Sequence, residues 1–352
     1  MLIRSIMLHN FRSFSKASFK FSPQTTVIVG PNTSGKTNLL EGIYLLGTGK
    51  SFRANIEEEM IKNASDFARV TGRVDSGGEE KNLEVFLGRE KNKKKKLAIN
   101  RLAKRLVDYQ GTLRVVLFGP WDLNLITDSP SARRKFLDNV LSQVDREYRR
   151  SLLSYEKGLR SRNRLLEYIR EGGANRSQLL FWDQLLIKNG DYIAREREEF
   201  IAFANNFQFS TFNFQLEYDR SAISQARLAQ YAEEEVMAGA TLVGPHRDDV
   251  VFKIKNDKNL AIYGSRGEQR MCILWLKLTE LAFIEKVSGE KPVLLLDDIF
   301  SELDHRHREI VMQIIQKHQS PALYGAGQTI ITTADPHTIA PFKYKGQRIK
   351  LV

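Results

Sequence analysis

Gly30-Pro31-Asn32-Thr33-Ser34-Gly35-Lys36-Thr37 follows the apolar run Thr25–Val29 and leads into Asn38–Leu46, where Leu39, Leu40, Ile43, Leu45 and Leu46 recur at helical spacing. Strand, turn of the form G-x-x-x-x-G-K-[ST], and helix, in that order, make a phosphate-binding loop. Each part has a physical task. Gly30 and Gly35 let the backbone turn tightly and aim its N–H groups inward, with Pro31, Asn32, Thr33 and Ser34 between them. The start of the helix offers the positive end of its dipole to phosphate. Lys36 supplies a point charge between the outer phosphates, and the Thr37 hydroxyl is a ligand for Mg²⁺. The alternative, a chance glycine-rich turn, does not account for both flanking elements. The expected ligand is ATP with Mg²⁺, and Asn38 joins the ATP-contacting set.

The acidic partner stands far downstream. Pro292-Val293-Leu294-Leu295-Leu296-Asp297-Asp298 is an apolar run ending in two carboxylates. Such a strand belongs inside a parallel sheet, with its end beside the phosphate loop. Asp297 is expected to hold Mg²⁺, and Asp298 to orient or deprotonate the attacking water. Two adjacent carboxylates could instead cap a turn, but a complete phosphate loop in the same chain favours the catalytic reading. Ser301-Glu302-Leu303-Asp304 follows at once.

Upstream, Gly264-Ser265-Arg266-Gly267-Glu268-Gln269-Arg270 precedes a long helical pattern over Gln269–Lys286. Ser265 and Gly267 at a helix start can bind an anion. One chain does not need two phosphate-binding helix starts for one nucleotide. Ser265 and Gly267 are therefore expected to contact, in trans, the ATP held by another copy, which predicts a head-to-tail homodimer bridged by ATP. The competing reading is a simple S-x-x-E capping arrangement.

Around these motifs, Met1–Leu8, Ser18–Phe21, Phe67–Val74, Asn82–Leu87 and Leu97–Asn100 read as strands of an antiparallel sheet. Lys91–Lys96, with Lys at five of six positions, reads as a solvated hairpin tip or a phosphate-backbone contact. Ser129 before Pro130 opens a helical period that runs through Phe136, Val140, Val144, Tyr148 and Leu152 to Ile169 and stops at Gly172-Gly173. A second long helix over Ser177–Asn206 completes an Arg-rich antiparallel hairpin. Phe212–Tyr218, Val250–Ile254, Leu260–Ile262 and Gln328–Thr332 read as strands, and Ser224–Met237 and His305–His318 as helices. The expected architecture is α/β: an ABC-type P-loop ATPase head built from residues 1–125 and 240–352, with a mainly helical lobe, 126–239, inserted between.

The bulk properties agree. The chain has 352 residues, of which 42% are hydrophobic, enough for a sizeable core. No apolar run is long enough to span a bilayer, and the N-terminus lacks the pattern of a signal peptide. A single cysteine, Cys272, excludes an internal disulfide and a cysteine zinc site, and points to a reducing cytoplasm. The net charge of +12, from 54 basic and 42 acidic residues, favours a polyanion such as nucleic acid as partner over an indifferent basic surface.

Phosphate loop, S-x-G-x-Q, acidic strand end and S-E-L-D, in this order, resemble the ABC-type ATPases. Thr332 or Thr333 stands where that class has its switch residue. Within the class the chain is similar to the RecF family of the SMC-like branch. The resemblance covers nearly the whole length and rests on Asn10-Phe11-Arg12, Lys50-Ser51-Phe52-Arg53, Phe118–Leu123, Arg133–Asp138, Gly244–Asp249 and Leu295–Asp304. Two positions depart from its pattern: Thr33 replaces a common Gly, and Trp121 replaces the Glu of P-E-D-L. The resemblance implies a protein that binds ATP, dimerises on it, binds double-stranded DNA and gap junctions between single and double strands, and helps RecR with RecO to load recombinase. It implies weak, DNA-stimulated ATP hydrolysis, and a nucleotide contact for Arg12. A transport ATPase would have its signature much closer to the loop and no arm, and a nuclease fusion needs a further acidic domain after Thr332. His246 in Gly244–Asp249 is either a metal ligand with Asp248 or Asp249, or part of a structural turn.

Overall fold

The computed structural model describes residues 1–89, 95–207, 213–254, 257–301, 305–319, 326–335, 337 and 346–351. Lys91–Lys94 of the basic tip, Phe212, and Glu302-Leu303-Asp304 lie outside the described residues. The chain divides into two compact units, Met1–Asp122 with Glu280–Val352, and Leu123–Thr279.

The first unit opens with strands β1 (Leu2–Phe11), β2 (Phe14–Lys20) and β3 (Thr25–Val29) and helix α1 (Lys36–Thr48). Then come β4 (Phe67–Ser76), β5 (Glu79–Gly88), β6 (Lys96–Ile99), β7 (Leu102–Lys104), α2 (Leu106–Tyr109) and β8 (Val115–Phe118). The second unit holds α3 (Asn124–Thr127), α4 (Pro130–Val144), α5 (Arg146–Arg170), α6 (Leu180–Asn206), β9 (Gln215–Asp219), α7 (Gln225–Gln230), α8 (Ala232–Ala238), β10 (Asp249–Ile254), β11 (Lys258–Asn259) and α9 (Leu260–Tyr263). Helix α10 (Arg266–Ser288) returns the chain to the first unit, which closes with β12 (Val293–Asp297), α11 (His305–Gln319), β13 (Thr329–Thr333) and β14 (Gly346–Lys350).

Two sheets build the first unit. One is antiparallel, in the order β2-β1-β4-β5-β6-β7; the other is parallel, β14-β3-β13-β12-β8. Strands β8, β12 and β13 are buried along their whole length, as a strand covered on both faces must be. Helix α1 runs between the sheets, and residues Leu39 to Thr48 are all buried, which explains its lack of a polar face. A side chain at Gly42 would come within 2.8 Å of the Leu8 side-chain tip, so a larger residue there would have to push Leu8 aside. In β1 the alternation is broken: Ile3 and Ile6 are both buried because the register slips between Ile3 and Ser5. The Gln328 amide staples the two sheets, accepting from Ile3 N at 2.8 Å and donating to Ile3 O at 2.9 Å. Strands β8 and β14 are absent from the sequence reading.

In the second unit, the helical period read as one rod from Pro130 to Ile169 is two helices. The backbone leaves the helical region at Asp145, whose carboxylate accepts from Glu147 N at 2.8 Å and caps α5. At the start of α4 the Ser129 hydroxyl pairs with Ser131 and not with a backbone N–H. Helices α5 and α6 form the expected hairpin, and a Cβ at Gly158 would sit 2.5 Å from Leu185. The segment Ser224–Met237 is also two helices, α7 and α8, meeting at Tyr231. Leu260–Ile262 is helical, not extended: Asn259 accepts from Ala261 N at 2.9 Å and starts a turn. Residues 240–279, read with the C-terminal part of the head, fall in this unit, where β10 pairs with β9 and β11.

Buried ion pairs hold the second unit together. Arg197 reaches Asp138 at 2.8 Å, Asp248 at 2.9 Å and the Pro245 carbonyl at 2.7 Å. Arg133 forms a two-pronged pair with Asp249 at 2.7 and 3.0 Å. Arg162 joins Asp183 and Glu235, both at 2.7 Å. Most of Arg133–Asp138 and Gly244–Asp249 is thus used in knitting α4, α6 and β10 together.

Candidate nucleotide site

The loop after β3 folds tightly around its own carbonyls. Gly35 is left-handed, with φ +95°, and a side chain there would lie 2.8 Å from the Phe14 ring. Thr33 is left-handed too, at φ +73°, which is why glycine is the easier residue at that place. Lys36 is 7% exposed and donates to the carbonyls of Gly30 at 2.7 Å and Pro31 at 2.8 Å. Its ammonium is thereby fixed across the loop with one N–H to spare. None of the first-turn residues of α1 is acidic, so the helix itself leaves the positive end of its dipole uncompensated. The Ser34 hydroxyl is buried without a hydrogen-bond partner among the described residues.

Sheet order brings the acidic pair to this loop. Strand β13 pairs with β3 on one side and β12 on the other, all parallel, so their C-terminal ends lie together. Thr37 donates to the Asp297 carboxylate at 2.7 Å, and Thr332 donates to its other oxygen at 2.5 Å. Thr332 also accepts from the Asp298 N–H at 3.1 Å. One buried hydroxyl therefore links both carboxylate residues. Asp298 is left-handed, at φ +49°. Burial raises the Asp297 pKa above its ordinary value; the two hydroxyls offset part of this, and the Asp298 charge adds to it.

A second cluster stands one helical turn along α1; the sequence assigns a nucleotide contact to its Arg12 and Asn38, but no role to Glu41, Ser51 or Arg53. Glu41 is fully buried and takes two bonds from Arg12 at 2.8 and 2.6 Å, two from Arg53 at 3.0 and 2.8 Å, and one from Ser51 at 2.6 Å. Burial alone would raise this carboxyl, but the bonds from Arg12, Arg53 and Ser51 outweigh it and hold the pKa below its ordinary value. Arg12 also donates to the Glu59 carbonyl at 2.6 Å. Asn38 accepts from Arg53 and donates to Ser13 at 2.8 Å. Arg12, Ser13, Asn38, Arg53 and Lys62 line an open cleft of about 600 Å³. A lone carboxylate in the apolar run Asn38–Leu46 was the signal that could have found this cluster.

The remaining motif residues also find their places. Trp121 stacks on Phe52 with ring centroids 4.7 Å apart, a contact its aromatic ring alone supplies. Ser265 and Glu268 make a reciprocal capping box, with bonds of 2.8, 2.9 and 3.3 Å, so the capping arrangement is present. Ser265 and Gly267 are exposed, as are Ile262 and Tyr263 nearby. His246 is not placed to bind a metal. Its Nε2–H donates to the Thr241 carbonyl at 3.0 Å, and its Nδ1 accepts from Tyr155 at 2.8 Å. Among the described residues no cluster of metal-ligating side chains is present.

This parallel sheet, with its phosphate loop, acidic strand end and inserted helical unit, defines the class of ABC-type ATPase heads. A solved SMC head domain with an extended coiled coil, from Pyrococcus furiosus, has the same fold: it is 18% identical, with a TM-score of 0.50, over 96% of this chain and 91% of that one. The chain belongs to the RecF/RecN/SMC N-terminal domain family, whose profile matches residues 2–344. Within it, the chain is 37% identical over 330 residues to the DNA replication and repair protein RecF of Lachnoclostridium phytofermentans, covering 90% of each. A solved structure of the recombination mediator protein RecF-ATP in the RecFOR pathway superposes with a TM-score of 0.87 and 32% identity, over 99% of this chain and 95% of that one. No helix among the described residues is long and apolar enough to cross a membrane.

Proposed function

We propose that this chain is an ATP-operated DNA-binding protein of recombinational repair and replication, in which ATP joins two copies into a dimer. The observation that carries the reading is the convergence on one loop of Lys36, the Thr37–Asp297–Thr332 hydrogen-bond chain and a helix start with no acidic residue of its own. The residues present fit a triphosphate. The N–H groups of Asn32–Asn38 and the Lys36 charge would cradle the β- and γ-phosphates, and the buried Ser34 hydroxyl has a donor to give. Thr37 and Asp297 are hard oxygen ligands already in contact, and would hold Mg²⁺, which neutralises phosphate charge when bound. Asp298 would orient or deprotonate the attacking water, and Thr332 would transmit the state of the site between the two aspartates. The cleft beside Arg12 and Asn38 has room for the rest of the nucleotide.

The second half of the site would come from a second copy. Ser265 and Gly267 are exposed at the start of a long helix, where a phosphate can replace Glu268 as partner of the serine hydroxyl. The dimer would bind double-stranded DNA and gap junctions between single- and double-stranded DNA, as its relatives' role in repair implies, and act with RecR and RecO in loading recombinase. Slow, DNA-stimulated hydrolysis would then release it.

Sizing with and without ATP tests this. Wild type should shift from monomer to dimer on ATP. Lys36→Ala should bind no ATP and stay monomeric, whereas Ser265→Arg should bind ATP and stay monomeric. An ATP-dependent dimer of Ser265→Arg would remove Ser265 from the interface, and an ATP-dependent dimer of Lys36→Ala would sink the latch altogether.

A further inference from the structure

We infer that one exposed face of α5 grips the sugar-phosphate backbone of double-stranded DNA, an inference that rests on the DNA-binding reading above and names the surface responsible. Arg146, Arg150, Leu153, Lys157, Arg160 and Arg164 follow one another at steps of four and three residues, and all six are exposed. At that spacing they form a single stripe along the helix. Five of the six are cations. Between Arg146 and Arg164 the only carboxylates are Glu147 and Glu156; Glu147 pairs with Arg150 and Glu156 is half-buried.

The stripe is not a by-product of folding. The basic residues of α5 that serve the fold are different ones: Arg162 is buried with Asp183 and Glu235, and Arg149 is buried and donates to the Ser142 carbonyl. Lys157, Arg160 and Arg164 make no ion pair among the described residues, so their charge is offered outward. The partner helix α6 differs: its exposed positions mix Lys188 and Arg195 with Asp191, Glu198 and Glu199.

Length and chemistry select the ligand. The stripe spans 19 residues, a rise of about 27 Å, or roughly 8 base pairs of duplex. Ser154 and Ser161 beside it can donate to phosphate oxygens. No aromatic side chain is exposed between Arg146 and Arg164, so bases have nothing there to stack on, and a duplex backbone fits better than a single strand.

The test is the salt dependence of binding to a fluorescent duplex of about 30 base pairs, several times the roughly 8 that the stripe spans. It is run with ATP on wild type, on Lys157→Ala/Arg160→Ala/Arg164→Ala, and on Lys188→Ala/Arg195→Ala as a control on α6. Removing three phosphate contacts should lower the slope of log K against log salt by about 3 and weaken binding roughly tenfold or more. ATP binding and the melting temperature should be retained, and the α6 variant should bind as wild type. An unchanged slope in the triple variant, or an equal loss per charge in the α6 variant, would overturn the inference. Tighter dependence on the stripe for a single strand than for the duplex would overturn the choice of ligand. If wild type bound no DNA, the broader reading would fail instead.

Discussion

At the scale of single residues, Thr33 shows how much a loop can tolerate. A β-branched residue in the left-handed region costs about 1–2 kcal/mol, while a glycine there loses about 0.5–1 kcal/mol more chain entropy on folding. The loop is anchored at both ends, by Lys36 on the Gly30 and Pro31 carbonyls and by Gly35 opening α1, so it holds Thr33 at φ +73° in spite of that cost. Thr33→Gly should therefore stabilise the ATP-free protein by about 1 kcal/mol or slightly less, read as a higher urea midpoint at unchanged slope. A lower midpoint would mean that the Thr33 hydroxyl bond to the Asn32 carbonyl outweighs the strain. The phosphate loop and acidic strand end could be read from the sequence because each is a contiguous pattern. The Glu41 hub shows in the sequence only as a lone carboxylate in an apolar run: Arg12 and the Ser51–Arg53 turn reach it from separate segments, and only folding brings them together.

At the scale of elements, periodicity located most strands and helices, and it failed where a side chain redirects the backbone. The apolar spacing from Phe136 to Leu152 continues across Asp145 as though one helix ran through. The carboxylate of Asp145 ends that helix by taking the Glu147 N–H, and its other oxygen accepts from Tyr192 at 2.7 Å. Asp145→Ala removes a cap and leaves a half-buried Tyr192 hydroxyl without its carboxylate. The expected loss is about 1–2 kcal/mol in chemical denaturation, with Asp145→Asn losing less. If Asp145→Ala were neutral, the break would be set by packing of α5 on α6 and not by the cap. Strand β14 escaped the sequence reading for another reason: Gly346–Lys350 is half polar, and pairing with β3 at the sheet edge leaves most of it exposed.

At the scale of the whole molecule, each compact unit carries among its described residues one imidazole held neutral, half-buried His246 and buried His318, and this sets how the protein responds to acid. In the second unit His246 lies between Tyr155 and the Thr241 carbonyl; in the first, His318 donates to the Pro292 carbonyl beside Lys291. Burial is the largest cause in both cases and pushes each pKa from 6.5 down to about 4; nearby Lys291 adds to the effect at His318. The sign follows from proton counting. Between pH 6.5 and 4 the unfolded chain binds a proton at each histidine that the folded chain does not, so stability rises with pH across that window. Folding is favoured in full above pH 6.5, and the loss on acidification approaches about 3 kcal/mol per histidine near pH 4. With two such groups the slope nears about 2.7 kcal/mol per pH unit around pH 5. Urea midpoints taken between pH 7 and pH 4.5 should fall steeply for wild type. In His246→Gln/His318→Gln they should fall less, however much either substitution costs at pH 7. Parallel pH curves for the two proteins would show that carboxylates such as Glu41, whose lowered pKa also costs stability in acid, govern the decline, and not the imidazoles.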